Sequence, residues 1–303
     1  MNKTLIWAAS PRPQFFTAAI IPVVLGAAVA VHQTGAFDWG LLWLTMAGAL
    51  FVHAGLNLTN DYYDYISGDD VVNKTPTPFS GGSRLLPDGA LKPREVLTAG
   101  LFCLAVTVAI GVYLVYALRG YLLLPIGIAG LFLVFFYTAP PFRIGYTGFA
   151  ELATGMGFGP LMVLGSYYVQ ARRLSWEAFW ASVPVGILIA LVLYINEFPD
   201  YEADRISGKR NTVVSIGKAA AAKYYRLFLL SVYLVVLLGI ASGIFPFAAI
   251  LTFVTLPAAI KAIRVTSAHF DKIKELLPAN ALTIAIHLSF GILFTFAYLW
   301  GTK

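Results

Sequence analysis

Residues 39–70 read WGLLWLTMAGALFVHAGLNLTNDYYDYISGDD, an apolar stretch that runs without a break into an acidic one. Residues 39–59 carry no charged side chain, and a helix of about 20 residues crosses the hydrocarbon layer of a bilayer. Asp61, Asp64, Asp69 and Asp70 follow at once. The same arrangement recurs at residues 178–210, AFWASVPVGILIALVLYINEFPDYEADRISGKR. Each copy has Asn-x-x-x-Asp where the apolar run ends, a further Asp one turn on, and then Ser-Gly. Asn57 and Asn196 stand 139 residues apart, as do Asp61 and Asp200. The decisive pattern is therefore a membrane helix that ends in a carboxylate cluster, present twice.

The rest of the chain agrees with a lipid solvent. Of 303 residues 59% are hydrophobic and 12% charged, and the mean hydropathy is +0.77; a soluble domain carries roughly 25% charged residues. Apolar segments at 15–31, 39–59, 96–118, 121–138, 148–169, 178–197, 224–242, 245–263 and 280–300 predict an all-α, polytopic membrane protein with nine transmembrane helices in one bundle. The chain reads as a single domain over 1–303, with a kink expected at Pro257. Lys3 and Arg12 before the first apolar run resemble a leader, but the run merges into a long segment with no cleavage pattern and reads as a retained helix. Cys103 is the one cysteine, so no internal disulfide is possible. Four helices separate the two acidic clusters, which points to a duplicated four-helix unit.

Charge then orients the bundle. Of the 21 Lys and Arg, all but Arg119, Arg172, Arg173 and Lys303 fall on the side where the clusters lie. The positive-inside rule makes that side, with the N-terminus, cytoplasmic and places the C-terminus outside. Only Asp38 and Glu177 of the 15 acidic residues fall on the outer side. Both signs of charge thus form a polar cap on one face, which an anchor has no need of.

The spacing within the clusters carries the chemistry. Asn57, Asp61 and Asp64 share one helix face, as do Asn196, Asp200 and Asp204. A single acidic helix end is commonly just solvated. Two copies at matching positions are not explained that way, and stacked carboxylates repel unless a cation lies between them. Oxygen-only donors with no nearby His or Cys point to Mg²⁺, which pairs a few carboxylates with substrate phosphates. The loop Ser80-Gly81-Gly82-Ser83-Arg84 offers backbone amides and a guanidinium to phosphate oxygens. Arg143, Lys209 and Arg210 add positive charge, although each also serves orientation. His53 lies one turn before Asn57 on a similar face and could line the pocket, although ordinary helix packing is the plainer expectation; His32, His269 and His287 form no metal-binding spacing.

Taken together these features resemble the UbiA superfamily of intramembrane prenyltransferases, and within it the MenA branch of 1,4-dihydroxy-2-naphthoate polyprenyltransferases. The narrower likeness rests on Asn57-Leu-Thr-Asn-Asp-Tyr-Tyr-Asp64, Gly82-Ser-Arg84, Tyr137-Thr-Ala-Pro-Pro-Phe142, Gly148-x-x-Glu151, Gly165-Ser-Tyr-Tyr-Val-Gln170, Asp200-Tyr-Glu-Ala-Asp204 and Gly208-Lys-Arg210. It implies Mg²⁺-dependent transfer of an isoprenyl chain from a prenyl diphosphate to an aromatic acceptor. Asp61, Asp64, Asp200 and Asp204, with Asn57 and Asn196, would bind the metal. Asn60, Arg84, Arg143, Lys209 and Arg210 would bind the diphosphate. Tyr62, Tyr137, Tyr146 and Tyr194 are the candidates to face the carbocation, with Tyr137 and Tyr146 placed in the catalytic set.

Three positions depart from the family pattern. Arg12-Pro13-Gln-Phe-Phe-Thr17 replaces Arg-Pro-x-Thr, Gly68 stands where a third Asp is usual, and Glu197 varies the second cluster. Alternative readings are a hydroxybenzoate, haem, chlorophyllide or glycerolipid acceptor, or a transporter of an anionic lipid. No nucleic-acid partner is expected, and the oligomeric state is left open.

Overall fold

The computed structural model describes residues 3–301; Lys303, counted above on the outer side, lies outside them. Among the described residues there is no strand. The long helical runs, labelled α1 to α9 in chain order, are Thr17–Thr34, Trp39–Ser67, Pro93–Leu118, Leu123–Phe135, 150–171, Trp176–Ser207, Lys218–Ala241, Phe247–His269 and Ile273–Trp300. Seven of them are long and apolar enough to cross a membrane. The two exceptions are the expected segments 121–138 and 148–169. The first forms only Leu123–Phe135. The second, α5, runs as Ala150–Met156, a π-helical turn over Gly157–Leu161, and Met162–Ala171. The turn contains Pro160, which has no amide to give to an α-helical ladder, so a widened turn absorbs the defect.

Helix ends follow local chemistry. Asp38 caps α2 by accepting the Leu41 amide at 2.9 Å, and the Ser175 hydroxyl accepts the Ala178 amide at the start of α6. Both helices stop at glycines with φ near 85°, Gly68 and Gly208, a left-handed conformation that L side chains resist. Within α8 the backbone changes from 3₁₀ over Phe247–Thr255 to α from Leu256. Pro257 therefore falls in the first α-turn, where its missing donor is harmless, and the irregularity sits just before it.

Packing is uneven around the bundle. The core joins α1, α5, α6, α7 and α9 through residues such as Leu25, Tyr167, Leu188, Tyr225, Phe290 and Phe294, all fully buried. Helices α5 and α6 approach closely: a Cβ on Gly159 would lie 2.7 Å from the Gly186 Cα. By contrast α4 has no buried residue, and Phe102 and Tyr113 of α3 are exposed. Trp39, Trp43, Trp176 and Trp300 are exposed at the end opposite the acidic clusters, as an interfacial belt requires. The large cavity lies beside α4, between it and α2, α3 and α5.

Candidate active site

Gly68 decides how the first cluster is built. Its left-handed turn ends α2 and starts a one-turn helix, Asp69–Val72, that folds back toward Asp64. Carboxylate oxygens of Asp64, Asp69 and Asp70 come within 4.8 Å of one another, and all three side chains are buried. The third Asp missing at position 68 is thus supplied by the residue after the turn.

At the second cluster, α6 carries Asp200 and Asp204. Asp200 accepts the Asn73 side-chain amide at 2.9 Å and the Gly81 backbone amide at 3.0 Å. Asp204 accepts from Asn211 at 2.7 Å. Two cations enter this acidic space. The Lys209 ammonium pairs with Asp69, and lies 3.2 Å from Asp64 and 3.7 Å from Asp204. Arg12, at a left-handed turn of the N-terminal segment, pairs with Asp61 and covers it. The Tyr146 hydroxyl donates to Asp64 at 2.8 Å, and Lys209 lies 5.0 Å from the centre of the Tyr146 ring.

The electrostatic consequences are visible outside the spanning helices. Burial, followed by the Asp64 and Asp61 charges, pushes the Asp70 carboxyl up to about 8 despite Arg12 and Lys209. Burial alone would lower the Lys209 pKa, but Asp64, Asp204 and Asp69 outweigh it and raise the group well above the usual lysine range. Lys209 is a permanent cation here.

Other expected residues fall into place less uniformly. Asn60 donates to Asp64 at 3.1 Å. Asn57 and Asn196 line the same cavity, but the Asn57 amide donates to the Pro11 carbonyl and Asn196 accepts from Asn280 at 2.8 Å. Arg84 turns away, with its guanidinium on the Asp70 and Asn73 carbonyls and on Asp88. Arg143 and Arg210 are exposed; Arg143 lies 5.6 Å from the centre of the Tyr146 ring, and Arg210 contributes its backbone amide to the Tyr146 carbonyl. The loop amides expected to meet phosphate are directed at carboxylates instead, Gly81 at Asp200 and Ser83 at Asp61. Of the four tyrosines, only Tyr137 lines the cavities. Tyr62 packs on Tyr63, Tyr146 serves Asp64, and Tyr194 donates to the Ala221 carbonyl.

Two cavities meet at Tyr137. The polar one, about 230 Å³, is lined by Arg12, Asp64, Asp69, Asp70, Asp200, Asp204 and Lys209 among others. The apolar one, about 870 Å³, lies between α2, α3, α4 and α5 and reaches Arg119 and Tyr121 at the other end of the bundle. His53, Leu56, Tyr137, Thr154 and Phe158 line both. A polar chamber and an apolar one thus share a wall at these five residues.

Residues 19–285 match the model of the UbiA prenyltransferase family. The chain belongs to the UbiA prenyltransferase family. It is a prenyltransferase. A 2-carboxy-1,4-naphthoquinone phytyltransferase of Synechocystis is 30% identical over 98% of this chain and 94% of its own length. A 1,4-dihydroxy-2-naphthoate octaprenyltransferase of Mycobacterium tuberculosis is 36% identical over 73% of each chain. The solved structure of a UbiA homolog from Archaeoglobus fulgidus bound to GPP and Mg²⁺ superposes with a TM-score of 0.62 over 96% of this chain and 98% of that one, at 16% identity. That likeness is one of fold.

The UbiA site of this chain has donors for a hard divalent cation. All of them are oxygens, and among the described residues the buried carboxylates Asp61, Asp64, Asp69, Asp70, Asp204 and Glu197 meet only Arg12 and Lys209 as counter-charges. The Glu197 Oε2 is buried with no partner. Ionising so many buried carboxyl groups together is costly until a cation enters. Arg12 was not expected to contribute, because it approaches from a separate segment. Asn73 and Asn211 were missed as well, for they follow turns that carry no periodic signal.

Proposed function

We propose that the protein transfers an isoprenyl chain from a prenyl diphosphate to a hydroxynaphthoate acceptor, 1,4-dihydroxy-2-naphthoate, in a Mg²⁺-dependent reaction. The observation that carries this reading is the junction of the acidic cavity with the apolar one at Tyr137. The names of the naphthoate-specific relatives support the choice of acceptor. In this reading the protein is a single domain of nine membrane crossings, with the N-terminus and polar cap cytoplasmic and the C-terminus outside. The bias of Lys and Arg supports that orientation.

Asp64, Asp69 and Asp70 from one side and Asp200 and Asp204 from the other would hold the metal, with Asp61, Asn57 and Asn196 bordering them. Bound Mg²⁺ supplies Lewis-acid stabilisation of the departing diphosphate. Lys209 and Arg12 bring fixed positive charge to the diphosphate oxygens. Asn60 and Tyr146 hold the Asp64 carboxylate in orientation. The allylic C–O bond breaks with its electron pair going to diphosphate, and the face of Tyr137 stabilises the positive carbon. The ring carbon bearing the carboxylate then bonds to the prenyl carbon, and CO₂ leaves as the ring regains aromaticity. Phe158 and Leu56 at the junction keep water from the cation.

The test is transfer from labelled prenyl diphosphate by purified protein in detergent, with Mg²⁺ or EDTA. The acceptors are the dihydroxynaphthoate, 4-hydroxybenzoate and a glycerol phosphate. Mg²⁺-dependent product with the naphthoate alone is the expected result. Product with another acceptor alone would discard the naphthoate and keep prenyl transfer.

A further inference from the structure

We infer that His53, clamped between Phe16 and Phe158, forms the subsite for the acceptor, with the imidazole hydrogen-bonding a hydroxyl of a phenolic ring. The inference rests on the prenyl-transfer reading above and names the group that would position its second substrate. The sequence put His53 on the face of Asn57, able to line a pocket, with packing the plainer reading. The structure gives it both: it packs on Phe16 and Phe158 and lines the polar cavity and the apolar cavity alike.

Its place along α2 matters. With a helical rise of about 1.5 Å per residue, His53 lies roughly 6 Å below Asn57 and 12 Å below Asp61 on a shared side of the helix. The carbon that reacts is attached directly to the diphosphate, so it sits at this junction when the head occupies the acidic cavity and the tail the apolar one. An acceptor carbon must come within about 3–3.5 Å of it. The acceptor therefore has to enter beside His53.

The surroundings suit a flat aromatic molecule with a polar edge. The His53 ring centre lies 5.5 Å from that of Phe16 and 5.2 Å from that of Phe158, both tilted. Only 4% of His53 is exposed, and its Nδ1 has no hydrogen-bond partner. A buried imidazole left in this state loses its water without compensation, and an apolar side chain would fill the same space at no such cost. Packing alone gives no reason for a histidine. The other two polar side chains shared by the cavities, Tyr137 and Thr154, are in contact with each other. The Nδ1 of His53 is the shared polar atom left without a partner. Phe16 belongs to the N-terminal segment, which is fastened over the site by Arg12 on Asp61 and by Asn57 on the Pro11 carbonyl.

The experiment compares wild type with His53→Phe and His53→Gln, purified in detergent with Mg²⁺. Three quantities are read: kcat/KM for the naphthoate at saturating donor, KM for the prenyl diphosphate, and hydrolysis of the donor without acceptor. Wild-type turnover with the naphthoate secures the reading on which the inference rests before either variant is compared. If another phenolic acceptor is the one turned over, the comparison is made with that acceptor. His53→Phe keeps the ring and removes the hydrogen bond, so acceptor kcat/KM falls about 10- to 100-fold, with donor KM and hydrolysis nearly unchanged. His53→Gln restores most of the loss. Equal falls for donor and acceptor, or no change in acceptor kcat/KM, would overturn the inference. Should His53→Phe not yield folded protein, His53→Gln is compared with His53→Leu on the same split, and equal values for those two would overturn it as well.

Discussion

The ends of α2 and α6 share one backbone device and differ most where they touch. Ser67-Gly68 closes the first and Ser207-Gly208 the second, and both glycines stand at φ 85°. The next residue is Asp69 in one and Lys209 in the other, and these two form an ion pair across the site. The residue after that is Asp70, buried, against Arg210, exposed. The two asparagines that open the clusters are each fixed by a segment outside the pattern, Asn57 by the Pro11 carbonyl and Asn196 by Asn280. The same turn closes both helices. The side chain that follows differs, so that one end supplies the acid and the other its counter-ion.

The largest effect should come from the carboxylates that the two helix ends have in common. Asp64→Asn and Asp204→Asn should each lower prenyl transfer by about 10²–10³-fold, the usual cost of removing one preorganised electrostatic partner. Binding of the acceptor should change little, and a labelled-donor assay reads both. A variant at one end that retains wild-type activity would show that the two ends are not equivalent in the reaction.

The Asp69–Lys209 pair gives the next test. Lys209→Ala leaves Asp64, Asp69 and Asp204 without their shared cation, and breaking a buried pair costs about 3–5 kcal/mol. The melting temperature in detergent should fall in metal-free buffer and recover in part with Mg²⁺. Exchanging the charges, Asp69→Lys with Lys209→Asp, should restore stability beyond either single variant. It should not restore turnover, because the ammonium then sits on the wrong side of Asp64. Stability that stays low in the exchanged protein would mean that the two glycine turns are not interchangeable as scaffolds.

Arg12 has no counterpart at the second cluster, and its loss should be milder. Arg12→Gln removes the guanidinium from Asp61 and loosens the segment that carries Phe16. A charge-assisted contact of this kind is worth roughly 1.5–3 kcal/mol, so KM for the prenyl diphosphate should rise about tenfold or more. An unchanged KM would reduce Arg12 to a clamp on the N-terminal segment.

Much of this was readable before the structure, for reasons that also explain what was not. Hydropathy found the long helices because a bilayer demands uninterrupted apolar runs. It did not show that 121–138 would shorten to Leu123–Phe135, or that Pro160 would open a π-turn, since both depend on local backbone hydrogen bonding. Helical spacing put Asp61 with Asp64, and Asp200 with Asp204, on shared helix faces. It could not place Asp69 and Asp70 in the same site, because a left-handed glycine ends the periodicity on which such reasoning depends. Arg84 was expected at the phosphate on charge alone, whereas the folded loop gives its guanidinium two backbone carbonyls. His53 illustrates the same limit: its face on α2 was clear, but whether that face met a helix or a cavity depended on how loosely α3 and α4 pack.

The smallest effect should separate the two residues that follow the charged pair. Arg210 is exposed, and what it gives the site is a backbone amide on the Tyr146 carbonyl at 2.9 Å. A side chain is not needed for that bond. Arg210→Ala should therefore change stability by no more than about 0.5 kcal/mol, as exposed substitutions do, with turnover close to wild type. Asp70→Ala, at the matching place after the other glycine, removes one of three buried carboxylates and should weaken the Mg²⁺ dependence of activity measurably. If Arg210→Ala proved as damaging as Asp70→Ala, the guanidinium would have to reach the diphosphate during turnover, and the cap would then close further on its substrate than the structure shows.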